Sequence, residues 1–223
     1  RGADNSSYAS GLRIRAFLQK VQQPGALDPA HSVNSEFTPG SNNPGQRWRY
    51  GSAECLSSVN FTAVTFPSSG STADDGTPIP SWQFSSVQTP AFYWNNSTHT
   101  LKAGGIATFV PQTVWFYPGE NGLPQNYGVI RYTVPAGEGG LYSLGAIIES
   151  VYLAWAVGDT DFYILKNGVR IDSRWVPVES WAMLPHTLQL SAGDTVDFVV
   201  GRGADGSQYA SGLKIWLQMT RLP

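Results

Sequence analysis

The sequence predicts an all-β protein whose antiparallel strands pack as a sandwich or a barrel, and three observations support this fold class. Apolar and polar residues alternate with a period of two in several segments, and no long apolar period of 3.6 residues is present. Glycine-bearing turn sequences separate these segments at short spacing. Apolar residues make up 41% of the 223 residues, enough for a packed core without disulfides.

The clearest strands lie in the second half of the chain. The inward-facing positions of three of them are Ile130, Tyr132 and Val134; Val196, Phe198 and Val200; and Leu213, Ile215, Leu217 and Met219. Asn167-Gly168 lies between two further apolar runs and is the strongest short hairpin signal in the chain. Residues 135–140 and 191–194 are glycine-bearing turns that separate the neighbouring strands.

The first half has weaker strand signals. Residues 38–46 and 67–80 are rich in Pro, Gly, Ser and Asn, which predicts long surface loops. Short strands are expected near 46–51, 59–66, 90–95 and 113–117. The second half should therefore supply most of the core.

An internal repeat frames the chain. The opening RGADNSSYASGLRIR at 1–15 recurs as RGADGSQYASGLKIW at 202–216, with eleven of fifteen positions identical at an offset of 201 residues. Such self-similarity is typical of a tandem array. Two prolines and a glycine within 22–29 predict a linker there. Residues 1–24 are therefore expected to be the last strand and linker of a preceding repeat, and residues 25–223 one complete β-sandwich module.

The N-terminal copy of the repeated strand carries an apolar face of its own. Leu12, Ile14, Ala16 and Leu18 match the inward set of the C-terminal copy. Because the C-terminal copy can fill that slot in this module, the N-terminal copy is left without a slot. It can either lie against the outer surface of this module or add to an edge strand of a neighbouring copy, and we predict the second, so that copies associate head to tail.

Charge and composition exclude two classes of partner. Charged residues make up only 13% of the chain and the net charge is -2, so no basic patch exists for nucleic acid. No apolar run approaches the roughly 18 residues that a membrane span needs, so we expect no membrane insertion. A surface of Ser, Thr, Asn and Gly suits a secreted or cell-surface protein and neutral polar ligands. Glycosylation sequons at Asn5, Asn60, Asn95 and Asn96 agree with that location.

Cys55 is the only cysteine in the chain. It excludes a disulfide framework within the chain and a cysteine-based zinc cluster. A buried, small hydrophobic role is the preferred interpretation, and an intermolecular bridge is the alternative.

Three segments of the second half resemble a known class of module. They are IRYTVPAGEGGLYSL, ILKNGVRI and HTLQLSAGDTVDFVVGRGADGS. They resemble the C-terminal half of jelly-roll modules in large secreted bacterial proteins, which often accompany glycan-degrading enzymes and are similar to carbohydrate-binding modules. RWRYG at 47–51 resembles the aromatic and glycine start of the same modules. The resemblance implies an antiparallel jelly-roll-like β-sandwich, and it implies no catalytic residues.

Eight tryptophans among 223 residues make aromatic contacts with a ligand the leading hypothesis for a site. Aromatic rings can stack on sugar rings, although Trp also fills large sandwich cores. Trp216 lies opposite the inward set, and its counterpart in the repeat is Arg15. Rings in the runs 92–94 and 115–117 alternate between two faces, and two further tryptophans flank 177–180 as a rim. The candidate sugar-binding residues are Trp216, Trp94, Trp115, Tyr93, Trp175 and Trp181, with core packing as the alternative for each.

Metal binding and catalysis have weaker signals. Asp159 and Asp161 offer oxygen ligands for a structural calcium, which the resemblance also implies, and Asx turns are the alternative. No other cofactor is expected. The three histidines lack metal-ligand spacing, and no G-x-S-x-G is present. Glu120, Glu149 and Glu179 could be nominated as a glycosidase pair, but any β-protein with 16 acidic residues offers such pairs, so we expect no enzyme activity.

Two functions follow from these observations. The first is a non-catalytic, extracellular glycan-binding module of a tandem-repeat protein, whose partner is a polysaccharide or glycan. The second is a structural or adhesive subunit of a surface stalk or filament, which binds neighbouring copies through residues 1–22. Exposed rings on an outer face favour the first function, and rings buried between copies favour the second.

Overall fold

The computed structural model describes residues 30–56, 60–68, 71–84, 89–105, 107–120, 126–151, 158–204, 206 and 211–223. Every regular element within these ranges is a β-strand, and all the pairings are antiparallel. The strands are β1 His31–Ser32, β2 Trp48–Ala53, β3 Thr62–Ala63, β4 Phe66–Ser68, β5 Ser81–Gln83, β6 Ala91–Trp94, β7 Leu101–Ala103, β8 Ala107–Phe109, β9 Val114–Tyr117, β10 Tyr127–Thr133, β11 Gly140–Ser150, β12 Thr160–Lys166, β13 Val169–Val176, β14 Trp181–Leu190, β15 Thr195–Val200 and β16 Leu213–Arg221.

Strands β9–β16 form two facing sheets with the topology of a jelly roll. Sheet A has the order β14-β11-β16-β9, continued by β6, β5 and β4, and sheet B has the order β13-β12-β15-β10, continued by β2 and β3. The order follows from nested pairing, because β12 pairs with β13, β11 with β14, β10 with β15 and β9 with β16. A nested ribbon of this kind, rolled across two sheets, is a jelly roll. The predicted fold class is confirmed.

The main core lies between the two sheets and contains the predicted inward-facing residues. Leu213, Ile215, Leu217 and Met219 are at most 1% exposed and belong to one apolar cluster. The inward sets of β10 and β15 lie in the same cluster. Because side chains of a strand alternate between faces, a period of two is sufficient to identify this core.

The outer faces of both sheets are also partly covered. A second apolar cluster packs on sheet A around Trp115, where the β7–β8 hairpin covers the sheet. A third packs on sheet B, where Leu56 and Phe61 lie against the cluster of Ala53, Val129, Leu165 and Val199. Strand β15 is consequently buried on both faces, although its alternating pattern predicts one solvated face.

The predicted hairpin is present between β12 and β13. Asn167 and Gly168 both have positive φ, at 50° and 78°. Two consecutive residues of this kind are what a type I′ turn requires, and its twist matches that of the two strands that it joins. The Asn167 side chain strengthens the turn, because its carbonyl accepts the backbone N–H of Thr195 at 2.8 Å.

The first half agrees with the short strands expected there, since β2, β3, β4, β6 and β9 lie within or beside the predicted ranges. The interpretation of Cys55 as a buried side chain was wrong, because it is partly exposed on the connection after β2. Among the sequons, Asn60 and Asn96 are exposed, whereas Asn95 is buried and donates its amide to two backbone carbonyls. Asn95 is therefore unsuited to glycosylation in the folded chain.

The domain boundary and the strand of Leu12, Ile14, Ala16 and Leu18 lie outside the described residues, so both stay predictions. Strand β1 pairs with the end of β16, with His31 opposite Met219. The chain therefore enters and leaves the sandwich side by side. The described residues include no helix long and apolar enough to cross a membrane.

Candidate functional site

The two ends of the jelly roll differ in the length of their connections. At one end the chain crosses between strands at 118–126, 151–159, 177–180 and 201–212. At the other end the connections are 134–139, 167–168 and 191–194. Long connections on a rigid scaffold are where binding residues concentrate. We call the first the long-connection end, and four of the predicted site residues border it: Asp159, Asp161, Trp175 and Trp181.

One row of side chains crosses the outer face of sheet B at this end. Asp161 lies opposite Trp175, and the N–H of Gly201 donates to the Asp161 carbonyl at 2.8 Å. A Cβ on Gly201 would lie 3.2 Å from Cε1 of Tyr127 and 3.4 Å from Cβ of Asp161. The glycine therefore leaves a floor without a side chain between Tyr127 and Asp161. Tyr163 adjoins this row, with its ring edge-on to Tyr127 at 6.4 Å.

We call Tyr127, Asp161, Tyr163, Trp175 and Gly201 the Trp175 face. Its tryptophan is 56% exposed, and both tyrosines are half-buried. Rings that combine exposed apolar faces with a neighbouring carboxylate can bind a polyhydroxylated ligand by stacking and by hydrogen bonds. Trp175 and Asp161 were predicted site residues. The two tyrosines were missed, although each shares the strand parity of an outward-facing neighbour.

The orientation of Trp175 is fixed by Asp159. The indole Nε1–H donates to Oδ2 of Asp159, and the backbone N–H of Ala204 donates to both carboxylate oxygens, at 2.9 and 3.0 Å. Because Nε1 is held from one side, the ring keeps one orientation on the surface. Asp159 thus links the start of β12, the end of β13 and the connection after β15.

The repeated RGAD sequence supports this link. Arg202, which aligns with Arg1, donates to the backbone carbonyls of Gly119 and Asn126 at 3.1 Å each. Ser211 donates its hydroxyl to the carbonyl of Arg202 at 2.8 Å. Gly203 has a φ of +64° and lies against Asp159. These contacts give the repeated residues a structural role, since they join two of the long connections.

Asp161 has a raised pKa. Burial is the largest cause, and the nearby charge of Asp159 adds to it, whereas the N–H of Gly203 acts in the opposite direction. Burial and the charge of Asp161 likewise raise the pKa of Tyr163. The carboxylates of Asp159 and Asp161 therefore repel each other at neutral pH.

The carboxylate pair is a partial fit to the predicted calcium site. Calcium takes six to eight oxygen ligands, and no group of three or more His, Cys, Asp or Glu side chains that could hold a metal occurs among the described residues. Asp159 already accepts the backbone N–H of Ala204 and the indole N–H of Trp175. Calcium at Asp159 and Asp161 stays a prediction.

Replacing Asp161 by Asn should raise the stability of the protein at neutral pH. Since the folded pKa lies above the ordinary value of 3.8, the wild type should lose stability as the pH rises from that value through the folded pKa. Thermal unfolding measured across this range should show that loss in the wild type and a flatter curve in the variant. If calcium binds the pair, added Ca²⁺ should remove the loss in the wild type and leave Asp161→Asn unchanged. A variant with an unaltered pH profile contradicts the assignment.

The predicted rim places Trp175 and Trp181 on either side of residues 177–180, and both are exposed. They belong to different sheets, so Trp181 points from sheet A. There Trp181 lies opposite Glu149, and Glu149 lies opposite Lys214, with which it forms a buried ion pair at 3.2 Å. Trp181 and Trp175 therefore border one end of the molecule without sharing one face.

Trp216 lies on the outer face of sheet A, as its parity predicts, and it is half-buried. It is opposite Ile147 on β11, and Ile147 is opposite the exposed Met183 on β14. This row is apolar and adjoins the row of Trp181. It is a second surface with exposed large side chains, separate from the Trp175 face.

The three aromatic candidates of the first half pack against other aromatic rings of the protein, and one of them is buried. Trp115 is 2% exposed and is stacked between Phe109 at 3.6 Å and Tyr93 at 5.2 Å. The prediction that Trp115 contacts a ligand was wrong, because a ring covered on both faces cannot stack on a sugar. Tyr93 is half-buried with one face on Trp115. Trp94 is half-buried against the main core, 5.7 Å from Phe37.

Comparison with known proteins finds likeness in structure only. No protein-family description and no curated protein matches the chain. The carbohydrate-binding module CBM51 from Clostridium perfringens GH95, solved with methyl-galactose, is 12% identical over 71% of this chain and 94% of that chain, with a TM-score of 0.37. The C-terminal CBM6 of a laminarinase from Zobellia galactanivorans is 16% identical over 49% and 79%, with a TM-score of 0.30. At these identities the likeness concerns the fold alone.

Proposed function

We propose that this chain is a non-catalytic glycan-binding module and that the Trp175 face contacts the sugar. The observation that carries the proposal is the exposed Trp175 ring, held in one orientation by Asp159 beside Asp161 and two tyrosines. A ring that is fixed before binding loses little conformational entropy when a ligand stacks on it.

The chemistry of this face suits a polyhydroxylated ligand. The Trp175 ring offers an apolar surface for a sugar ring, and the Asp161 carboxylate accepts hydrogen bonds from hydroxyl groups. The hydroxyl of Tyr163 can both donate and accept. The low charge of the whole chain agrees with a ligand that is recognised mainly through hydroxyl groups.

The same geometry gives no support to catalysis. A glycosidase needs two carboxylates on opposite sides of the scissile bond. Asp159 and Asp161 lie side by side, and Asp159 is occupied by the backbone N–H of Ala204 and the indole N–H of Trp175. Glu149 is buried against Lys214. We therefore assign no catalytic residue.

Replacing Trp175 by Ala should weaken glycan binding by about 1–3 kcal/mol, the range found when bases stack on aromatic side chains. That loss corresponds to an increase in Kd of roughly fivefold to 150-fold. The glycan is first identified on a glycan array and by pull-down on insoluble polysaccharides. The affinity of the wild type and the variant is then measured by calorimetry on the best binder. Trp175→Phe should lose less, because it keeps a ring and removes only the hydrogen bond to Asp159.

Val169→Ala is the matched control, because Val169 is 68% exposed on the same strand at the opposite end. It should bind like the wild type. If the wild type is folded and binds no glycan, the proposal is rejected. Equal affinities of Trp175→Ala and Val169→Ala would move the site away from the Trp175 face.

The assembly alternative has one supporting observation. In the described sheets, β13 is an edge strand of sheet B and β14 an edge strand of sheet A. They carry exposed apolar side chains at Val169, Ile171 and Met183. Pro185 within β14 and the charged residues of β13 are features that discourage addition of another strand. Light scattering of the chain with and without residues 1–22 tests this alternative, and equal monomeric masses would reject it.

A further inference from the structure

Arg49 lies on the outer face of sheet B, in a row of charged residues. Strand pairing places Arg49 opposite Arg131, and Arg131 opposite Asp197. Arg131 donates from Nε and Nη2 to the two oxygens of Asp197, at 2.6 and 2.8 Å. The carboxylate of this row is therefore used by Arg131, and the row carries one positive charge in excess.

Phe61 brings the two guanidinium groups together. Its ring centroid is 5.0 Å from Cζ of Arg49 and 4.4 Å from Cζ of Arg131. The ring lies against Gly51, where a Cβ would come within 2.6 Å of Cζ of Phe61. Phe61 is half-buried. Glycine at 51 thus lets the ring rest on the sheet between the two arginines.

Arg49 lacks an acidic partner among the described residues. Its Nε is buried and makes no hydrogen bond. Burial and the charge of Arg131 hold the pKa of Arg49 below its ordinary value, and no acid opposes them. A partly buried cation beside a like charge is unfavourable until an anion binds to it. The chain as a whole has a net charge of -2, so any preference for anions must arise locally.

We propose that Arg49 and Phe61 form a subsite for an acidic group, carboxylate or sulfate, carried by a glycan. The inference rests on the proposed glycan-binding function and adds the class of glycan, which is an acidic one. A guanidinium group binds such oxyanions through two parallel N–H donors, and stacking on Phe61 fixes its plane. The sugar that carries the acid then lies on the same outer face as Trp175.

Affinity electrophoresis of the full chain tests this subsite in gels that contain dextran, polygalacturonate or dextran sulfate. The wild type should bind one of the two acidic polymers about tenfold more tightly than dextran, as expected for a charge-assisted hydrogen-bonded pair. Polygalacturonate presents carboxylates and dextran sulfate presents sulfates, so the two gels separate the sources of the acid. Arg49→Gln should lose this preference, and Arg49→Lys should keep part of it.

Lys102→Gln is the control for the loss of one positive charge, because Lys102 is exposed on β7, away from sheet B. The inference is overturned if Arg49→Gln and Lys102→Gln have the same mobility in the gels with acidic polymers. It is also overturned if the wild type binds neither acidic polymer more tightly than dextran. Thermal melts verify that each variant is folded. Trp175→Ala on the same gels separates the two proposals: a loss there beside an unchanged Arg49→Gln rejects the acidic subsite alone.

Discussion

Replacing Asp197 by Ala is expected to lower the free energy of unfolding by about 3–5 kcal/mol. Asp197 is fully buried and Arg131 is 18% exposed, and their two hydrogen bonds join β15 to β10. Without the carboxylate, Arg131 stays partly buried with no counterion, opposite the like charge of Arg49. Urea unfolding followed by tryptophan fluorescence measures the loss.

The cost arises from the arginine that is left behind, and a second variant can show this. Burial raises the pKa of Asp197 even though Arg131 opposes the shift. The ionised pair is therefore not a large net source of stability. Combining Asp197→Leu with Arg131→Met should recover most of the loss, because both charges leave together. A single variant within about 1 kcal/mol of the wild type, or a double variant as unstable as the single one, contradicts this account.

The inner face of the sandwich could be predicted from the sequence because its residues follow strand parity. The inward sets of β10, β15 and β16 need only the alternation of side chains along a strand, and the turn at Asn167-Gly168 needs only two residues with positive φ. These signals are local. They do not require knowledge of which strands are neighbours.

The outer faces could not be predicted in this way, because parity does not reveal what covers an outward side chain. Trp115 points away from the main core, as its parity predicts, yet the β7–β8 hairpin buries it. Val199 is outward on β15 and is covered by Leu56 and Phe61. Both covers come from segments with weak strand signals that are distant in the sequence.

The Trp175 face was predicted only in part for a related reason. Trp175 was a candidate because the chain is rich in tryptophan, and Asp159 and Asp161 were candidates because they are two closely spaced acidic residues. Tyr127 joins them through the register of four neighbouring strands and through the glycine at 201. Register across a sheet depends on the whole jelly roll, so the sequence alone did not bring the tyrosines to the site.

Gly203→Ala should combine a large loss of stability with a loss of glycan binding. The φ of Gly203 is +64°, and an alanine in that conformation costs about 1–2 kcal/mol. Its Cβ would also come within 2.6 Å of the backbone oxygen of Asp159, so Asp159 must move and lose its hydrogen bonds to Ala204. Hydrogen bonds to a charged acceptor are worth about 1.5–3 kcal/mol, which brings the expected total to about 3 kcal/mol or more.

Gly206→Ala separates the clash from the backbone strain. Gly206 has a similar φ of +71° in the same connection, but a Cβ there would meet nothing within 4 Å. This control should lose only about 1–2 kcal/mol and should bind glycan like the wild type. Urea unfolding and calorimetry on the glycan identified for the wild type measure the two effects. If both variants are equally unstable and bind equally well, Asp159 does not depend on Gly203. If Gly203→Ala is unstable but binds normally, the orientation of Trp175 does not depend on Asp159, and the Trp175 face loses its main support as the site.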